Sequence, residues 1–265
     1  MPLAIDLFCG LGGWTEGLLA EGYDVIGFDI ERHVYGEHRY PAQLVVQDVL
    51  TLHGSQFKSA DLIVASPPCQ EYSYMAMPWS RAKAIAAEYR SGQRDVKQLT
   101  ALFDACFRLQ REAGEAAGRH IPLVVENVRG AIPWVGRSRW NFGSFHLWGD
   151  VPALMPMTLK ATKVPGFRFD GSGRSFQTAS VDETGRKSQG MNWSDQSKRG
   201  QDFTRIAGRQ IAEGRKGAGA GAAWFDANLC QLPSKSPGRK MASAMIAKIP
   251  LPLSRHIAAT FARAA

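Results

Sequence analysis

The sequence predicts an α/β protein built on a doubly wound, mostly parallel β-sheet. The first 150 residues alternate short apolar runs with helix-like stretches, which is the pattern of repeated strand and helix units. Several of these runs end directly in a glycine-rich turn, a proline pair or a carboxylate. Ligands of such sheets bind at the carboxyl ends of the strands, so these endings are the candidate functional positions.

The individual elements follow from the apolar runs. The predicted strands cover residues 3–8, 24–28, 44–46, 62–65 and 123–125. The predicted helices cover residues 15–21 and about 96–114, and two more follow near the C-terminus at 242–246 and 254–261, separated by Ile249-Pro250-Leu251-Pro252. We expect these last helices to pack back on the first domain.

Composition restricts the class of protein. The chain has 265 residues, 45% of them hydrophobic and 21% charged, which is ordinary for a soluble globular protein. No run approaches the roughly 20 apolar residues that cross a bilayer, and the N-terminus has neither a basic leader nor a cleavage site. A cytoplasmic protein is therefore expected. The four cysteines lie far apart without a Cys-x-x-Cys pair, which indicates neither a disulfide framework nor a metal site.

Charge divides the chain into unequal parts. Residues 1–150 carry 14 Lys and Arg against 17 Asp and Glu, whereas residues 151–240 carry 15 against 7. We expect a catalytic and cofactor-binding domain in 1–150, a small basic region in 151–240, and C-terminal helices in 241–265. The basic region is also rich in Gly and Ser, which predicts an irregular insert. Its charge fits either a polyanionic partner or a solvated basic surface.

The first motif is the glycine-rich turn Phe8-Cys9-Gly10-Leu11-Gly12, which joins the first strand to the first helix. Glycines let the backbone approach a cofactor closely, and Asp29 at the end of the next strand can bind a pair of ribose hydroxyls. The pattern fits any cofactor that contains a nucleoside. A tight strand-to-helix connection without a ligand is the alternative.

Two further motifs end buried strands. In Ser66-Pro67-Pro68-Cys69-Gln70, the prolines stiffen the turn and hold the Cys69 sulfur at the edge of the sheet. Glu126 ends the strand at 123–125, so an acid and a nucleophile share one edge. The alternatives are a cysteine that packs in the core and a glutamate that caps the following turn.

Together these segments resemble the cytosine-C5 DNA methyltransferase family, and the compact chain is similar to its phage-type branch. Phe8-Cys9-Gly10-Leu11-Gly12 matches the cofactor motif Phe-x-Gly-x-Gly, Pro68-Cys69-Gln70 the catalytic Pro-Cys-Gln, and Glu126-Asn127-Val128 the Glu-Asn-Val motif. The resemblance covers residues 3 to about 149. It implies a Rossmann-like methyltransferase fold that uses S-adenosylmethionine, with a small irregular target-recognition insert.

The resemblance also implies roles for individual residues. The implied catalytic residues are Cys69, Glu126, Arg137 and Arg139, the arginines as part of a Gln-x-Arg-x-Arg motif. The implied cofactor-binding residues are Phe8, Gly10, Leu11, Gly12, Asp29, Ile30, Asp48, Val49, Pro68 and Leu99. Ala247-Lys248-Ile249-Pro250 stands where the family has a Gly-Asn-Ser cofactor contact.

The sequence departs from the family pattern at three places. Glu71-Tyr72 replaces the small residue or proline and the phenylalanine that usually follow Pro-Cys-Gln. The glutamine of the arginine motif is absent, and Arg137 follows Glu126 much sooner than is usual. These departures leave the role of the arginines open.

The implied reaction transfers a methyl group from S-adenosylmethionine to carbon 5 of a cytosine flipped out of double-stranded DNA. Cys69 would attack carbon 6 and Glu126 would hydrogen-bond the ring. Residues 71–94 would close over the DNA, and the basic insert would read its sequence. We expect a monomer without a metal, in the cytoplasm of a bacterial or phage-infected cell.

Four alternatives remain open at this stage. A tRNA cytosine-C5 methyltransferase can share all three motifs, and a DNA-binding protein can retain the fold without activity. A nicotinamide-linked oxidoreductase would explain the glycine turn but neither Pro67-Pro68-Cys69-Gln70 nor Glu126-Asn127-Val128. Transfer of a group other than methyl is the fourth alternative.

Overall fold

The computed structural model describes residues 1–69, 72, 79–142, 145–155, 240–241, 244–245 and 247–262. Within these residues, seven strands form one sheet and two short strands form a hairpin. The strands are β1 Leu3–Leu7, β2 Asp24–Asp29, β3 Val34–Tyr35, β4 His38–Arg39, β5 Gln43–Val46, β6 Leu62–Ala65, β7 Leu123–Asn127, β8 Trp140–Phe142 and β9 Phe145–Gly149. β3 and β4 form the separate hairpin.

The main sheet has the order β5-β2-β1-β6-β7-β9-β8. The first five of these strands are parallel, whereas β9 runs antiparallel to β7, and β8 antiparallel to β9. The chain moves outward from β1 to β2 and β5, and then returns to the other side of β1 to form β6. The strand order therefore reverses between β1 and β6, and the crevice above such a reversal is where α/β sheets bind ligands.

Helices cover both faces of the sheet, as the doubly wound prediction requires. The described helices are α1 Gly13–Ala20, α2 Trp79–Arg90, α3 Val96–Ala117, α4 Ile132–Val135 and α5 Leu251–Phe261. On one face, α1 and α5 bury Trp14, Leu18 and Leu253 against β1, β6 and β7. On the other face, α3 buries residues three or four positions apart, which gives it one apolar side.

The ends of α3 show why this helix is well defined by its sequence. The Asp95 carboxylate caps the first turn by accepting a hydrogen bond from the Lys97 backbone N–H at 2.8 Å. Gly118 ends the helix in the left-handed conformation. Both are preferred residues at these positions. The observed helix is three residues longer than the predicted segment.

Three elements differ from the sequence-based expectation. The segment 71–94 was expected as a loop, but its second half forms α2. β8 and β9 are additional, and they put an antiparallel hairpin at one edge of the sheet. α5 begins at Leu251 rather than at residue 254, because Pro252 lies in the first turn, where a missing N–H costs no hydrogen bond.

The chain divides into two compact units, Met1–Met155 with Lys248–Ala265, and Pro156–Ala247. The predicted boundaries at 150 and 240 remain predictions. The basic target-recognition insert and most of the predicted helix at 242–246 lie outside the described residues. In the first unit, α5 packs on α1, and Arg255 binds Glu21 at 2.7 Å.

Candidate active site

The glycine turn lies at the carboxyl end of β1, and Asp29 holds its backbone. The Gly10 N–H donates to one oxygen of Asp29 at 2.9 Å, and the Glu31 N–H donates to the other at 3.2 Å. Burial acts to raise the pKa of Asp29, but hydrogen bonds from His33, Gly10 and Glu31 outweigh it and hold the pKa below its ordinary value. Asp29 therefore stays ionised, and the oxygen that accepts from the Gly10 N–H retains a lone pair for a further donor.

The backbone of this turn is strained. Phe8 has φ of +58°, and among the described residues it is the only one other than glycine with positive φ. Such conformations cost about 1–3 kcal/mol and cluster at functional sites. Gly12 has φ of +79°, and a Cβ there would lie 2.5 Å from the Pro41 side chain. The segment Tyr40–Pro41 thus packs against the turn so closely that only glycine fits.

A buried chain of hydrogen bonds lies next to this turn. Thr15 on α1 donates to Asp6 of β1 at 2.7 Å, and its hydroxyl lies 2.6 Å from the Tyr40 hydroxyl. Asp6 is 1% exposed, and its second oxygen has no hydrogen-bond partner among the described residues. Burial, together with the nearby Asp29 charge, raises the pKa of Asp6 to about 7 even though Thr15 lowers it. Asp6 therefore takes up a proton as the pH falls through about 7.

The proline turn follows β6 on the other side of the strand reversal. The Trp14 indole N–H on α1 donates to the Ser66 hydroxyl at 2.9 Å, which ties this turn to the helix that follows the glycine turn. Pro67 is buried, Pro68 is exposed, and Cys69 is half-buried. The Cys69 carbonyl accepts a hydrogen bond from the Tyr72 N–H at 3.0 Å. The turn that carries the sulfur is thus fixed at both ends.

β7 brings Glu126 and Asn127 to the same end of the sheet. Both are buried, at 5% and 1% exposure. The Asn127 side chain donates to the Pro67 carbonyl at 3.0 Å, and its oxygen accepts from the Val128 N–H at 2.8 Å. This contact joins the end of β7 to the turn that contains Cys69. Glu126 and Cys69 are therefore held on neighbouring strands at one edge, which we call the rim.

The other described cysteines differ from Cys69 in their surroundings. Cys9 is 6% exposed and Cys106 is fully buried. Burial raises the pKa of both thiols well above its ordinary value, and nearby carboxylates add to this effect. A thiol with a raised pKa is a poor nucleophile. Among the three cysteines that the structure describes, Cys69 is the most accessible one.

The remaining predicted cofactor residues differ in how far they are exposed. Ile30 follows Asp29 and is 70% exposed, so it offers an apolar surface. Asp48 caps the short helical turn Val49–Thr51 by accepting from the Leu50 N–H at 2.9 Å, and Val49 is buried. Leu11 and Leu99 are also buried, at 5% and 7% exposure.

The structure does not bring Arg137 and Arg139 to the rim. Both are exposed, and they line a cavity of about 340 Å³ together with Phe107, Gln110, His120, Trp148, Gly149 and Asp150. The Leu123 N–H, at the start of β7, donates to Asp150 at 2.9 Å, so this cavity lies at the amino end of β7. Glu126 is at the opposite end. Glu126 shares a face of the sheet with Val124, on the side that α1 covers. Phe107, which lines the cavity, packs on the opposite face, which α3 covers.

Comparison with known proteins adds a family resemblance. Residues 3–98 match the family model described as C-5 cytosine-specific DNA methylase, and this segment includes the glycine turn, Asp29 and Cys69. This segment of the chain is similar to the C-5 cytosine-specific DNA methylases. Glu126 and the two arginines lie beyond the matched residues. None of the curated protein sequences matches the chain.

Solved structures similar to this chain include three methyltransferases. One is described as a putative DNA modification methyltransferase encoded within an E. coli prophage, with 25% identity over 50% of this chain and 33% of that one, at a TM-score of 0.34. The second is Entamoeba histolytica methyltransferase EhMeth, with 17% identity over 51% and 41% at 0.35. The third is S. pombe Dnmt2 methyltransferase, with 13% identity over 97% of both chains at 0.44.

The chain spans about a third of the first of these structures and about two fifths of the second. The fold assignment rests on the seven-stranded sheet itself. Among the described residues, no helix is long and apolar enough to cross a membrane, and no cluster of potential metal ligands occurs.

The residues at the rim fit a nucleoside cofactor. A Cβ at Gly10 would meet no atom within 4 Å, so the space beside the turn is open. Asp29 offers ionised oxygens there, and the exposed Ile30 lies next to it. Lys248, in the segment that replaces the Gly-Asn-Ser contact, binds Glu16 on α1. A polar turn beside an exposed apolar side chain suits a ligand that carries both a charged tail and a flat ring.

Sequence reasoning missed several residues that build this site. The sequence placed Asn127 in a motif but gave it no role. Its side chain nevertheless makes the contact that joins the end of β7 to the turn that carries Cys69. Trp14, Thr15 and Tyr40 were also missed, although each holds a turn in place. A buried-face pattern in α1 could have suggested Trp14. Nothing in the sequence around Tyr40 indicates that it contacts Thr15.

Proposed function

We propose that this protein transfers a methyl group from S-adenosylmethionine to carbon 5 of cytosine in double-stranded DNA, with Cys69 as the nucleophile. The observation that carries the proposal is the 3.0 Å hydrogen bond from Asn127 to the Pro67 carbonyl. It ties the turn of the nucleophile to the strand end that carries the acid. The family match supports cytosine as the base.

The cofactor would lie above the reversal between β1 and β6. Its methionine part would contact the turn Phe8, Gly10, Leu11 and Gly12, and its ribose hydroxyls would donate to Asp29. Ile30, Asp48 and Val49 would surround the adenine, while Pro68 and Leu99 would border the site from the side of Cys69. When bound, S-adenosylmethionine would supply an electrophilic methyl group, whose bond to the sulfonium sulfur breaks with release of a neutral thioether when a nucleophile attacks the methyl carbon.

Cys69 would activate the cytosine, because carbon 5 of the free ring is a poor nucleophile. The Cys69 thiolate adds to carbon 6, and the electron pair of the 5,6 double bond shifts to give an enamine-like ring. Carbon 5 uses that electron pair to take the methyl group and then loses its proton to a base. The carbon 6–sulfur bond breaks and the thiolate is released. The half-buried position of Cys69 suits a group that must meet a ring.

Glu126 would stabilise the activated ring. Its carboxyl group would hydrogen-bond ring nitrogen 3 and the exocyclic amine, where charge develops as carbon 6 is attacked. At 5% exposure Glu126 is shielded from water, which strengthens this interaction. The surrounding rim would receive the base after it leaves the duplex, because neither group can reach a stacked base.

The basic region 151–240 supports a polyanionic substrate, since it holds 15 Lys and Arg against 7 Asp and Glu. Its residues would contact the DNA backbone and read base edges. The phage-type assignment, the monomeric state and the cytoplasmic location belong to the same proposal. Arg137 and Arg139 have no assigned part in the chemistry, because their cavity lies away from the rim.

The decisive experiment incubates the protein with S-adenosylmethionine and either unmethylated duplex DNA or tRNA. Nucleoside mass spectrometry then identifies the modified base and the group that was transferred. We expect 5-methylcytosine in DNA, and sequence-resolved mapping will give the target site. Labelling of tRNA alone would overturn the choice of DNA, and a product other than a methylcytosine would overturn the reaction.

A further inference from the structure

Tyr72 lies three residues after Cys69 and is anchored in the protein core. It is 5% exposed and packs in the same apolar cluster as Leu99 and Ala131. Its hydroxyl donates to the Leu99 carbonyl at 2.7 Å, and its N–H donates to the Cys69 carbonyl at 3.0 Å. One residue thus fixes the end of the Cys69 turn to the first part of α3.

The hydrogen bond to Leu99 connects two positions that lie on either side of α2 in the chain. α2 lies within residues 71–94, the segment that was expected to close over DNA. The Tyr72 hydroxyl therefore ties the turn that holds Cys69 directly to α3, which follows α2.

A second contact connects this turn to Glu126. Gly130 lies in the helical turn Arg129–Ala131, four residues after Glu126. A Cβ on Gly130 would lie less than 2 Å from the Tyr72 carbonyl oxygen. Real Cβ atoms do not come that close to an oxygen, so position 130 must be glycine for the two turns to touch. The Tyr72 backbone therefore rests directly against the segment that follows Glu126.

We propose that Tyr72 and Gly130 form a clamp that sets the position of the Cys69 sulfur relative to Glu126, with Tyr72 as a positioning residue. The proposal rests on the proposed function, because it assigns the clamp to the Cys69 nucleophile. The resemblance places phenylalanine at this position in related proteins. A phenylalanine would fill the same core space without the hydrogen bond to Leu99, so the hydroxyl is the part of the clamp that Tyr72 adds.

The test replaces Tyr72 by Phe and measures two properties of Cys69. The first is the rate of covalent adduct formation with DNA that contains 5-fluorocytosine, in the presence of S-adenosylmethionine. We expect this rate to fall about three- to tenfold, which corresponds to the loss of one neutral hydrogen bond. The second is the rate of Cys69 alkylation by iodoacetamide without DNA, read by peptide mass mapping. We expect this rate to rise, because the half-buried sulfur becomes more accessible when its turn loosens.

Tyr23→Phe is the matched control. The Tyr23 hydroxyl is also buried and also donates to a backbone carbonyl, that of Ala258 at 3.2 Å, but it lies on the α1 and α5 face of the sheet. The control should lose stability without changing either rate. A loss of stability large enough to lower adduct formation and expose Cys69 would act in both variants, so changes confined to Tyr72→Phe identify positioning.

Gly130→Ala tests the other half of the clamp. Its methyl group must displace Tyr72, so we expect a larger loss of adduct formation than in Tyr72→Phe, with unchanged affinity for S-adenosylmethionine if the variant folds. Should it fail to fold, the Tyr72→Phe and Tyr23→Phe pair still decides the question.

Two results would overturn the clamp. One is a Tyr72→Phe protein in which both Cys69 rates stay within twofold of the wild type. The other is an equal loss in Tyr72→Phe and Tyr23→Phe. A wild-type protein that methylates no cytosine would overturn the proposed function instead, and the alkylation rates would still report whether Tyr72 positions Cys69.

Discussion

The rim and the β8–β9 hairpin hold their polar side chains in different ways. At the rim, Asp29, Glu126 and Asn127 are buried, and hydrogen bonds from neighbouring turns hold Asp29 and Asn127. Before β8, Arg137 and Arg139 are exposed to solvent beside a cavity. The rim therefore fixes the geometry of its groups, as a catalytic site requires, whereas the arginines are free to change conformation.

The direction of the strands explains this difference. β1, β2, β6 and β7 are parallel, so residues that end these strands all reach one edge of the sheet. β9 returns antiparallel to β7. Its residue Leu147 lies opposite Glu126 of β7 on one side and opposite Trp140 of β8 on the other. Residues before Trp140 therefore extend toward the amino end of β7, away from the rim.

The largest expected effect is at the nucleophile. Cys69→Ala should lower methyl transfer by roughly four orders of magnitude or more, because the ring can no longer be activated covalently. The measurement is single-turnover transfer of a labelled methyl group to DNA, together with the affinity for S-adenosylmethionine, which should not change.

Cys106→Ala is the matched control, because Cys106 is a fully buried thiol on α3. It should retain transfer within a few-fold of the wild type. Activity that survives in Cys69→Ala but disappears in Cys106→Ala would show that the rim does not hold the nucleophile.

Glu126→Gln should have the next largest effect. The amide keeps the size of the side chain but cannot deliver a proton to ring nitrogen 3, so stabilisation of the activated ring is weakened, and we expect about a 10²- to 10³-fold lower single-turnover rate. Binding of S-adenosylmethionine should be unchanged. A loss below tenfold would mean that Glu126 is a structural residue of the β7 end.

The sequence was sufficient to predict the parallel part of the fold and the two strand ends that carry Cys69 and Glu126. Those predictions depend on apolar runs and on strand direction, which are local properties. Asn127 and Tyr72 could not be assigned their contacts, because each bonds to a segment far along the chain, at Pro67 and Leu99 respectively. The hairpin was missed because β8 has only three residues and the chain reverses direction between β8 and β9.

The rim also differs from the hairpin in carrying a buried acid with a shifted pKa, and Asp6→Asn measures its effect on stability. In the folded protein the pKa of Asp6 is raised to about 7, above the unfolded value of about 3.9. The folded state therefore binds an extra proton between these values, and the stability that Asp6 contributes is lost as pH rises through about 7. The free energy of unfolding changes with pH by about 1.4 kcal/mol per pH unit at most.

We expect Asp6→Asn to remove this slope, since the neutral amide resembles the protonated acid. Between pH 5 and pH 8, the free energy of unfolding of the wild type should fall relative to that of the variant by up to about 3 kcal/mol. Urea unfolding at several pH values measures it. Asp24→Asn, at an exposed position of β2, controls for the loss of one carboxylate. Parallel curves for wild type and Asp6→Asn would contradict the buried proton.

The smallest effect is expected just before the hairpin, in the double variant that combines Arg137→Ala and Arg139→Ala. Both guanidinium groups are exposed and line a cavity at the amino end of β7, so they cannot touch a base held between Cys69 and Glu126. The single-turnover rate at saturating DNA should stay within about threefold, and stability should change by about 0.5 kcal/mol or less, as for other surface substitutions. Arg111→Ala, on the exposed side of α3, controls for the loss of positive charge. A loss of a hundredfold or more that Arg111→Ala does not share would show that the hairpin rearranges when DNA binds and delivers an arginine to the base, as the family resemblance implies.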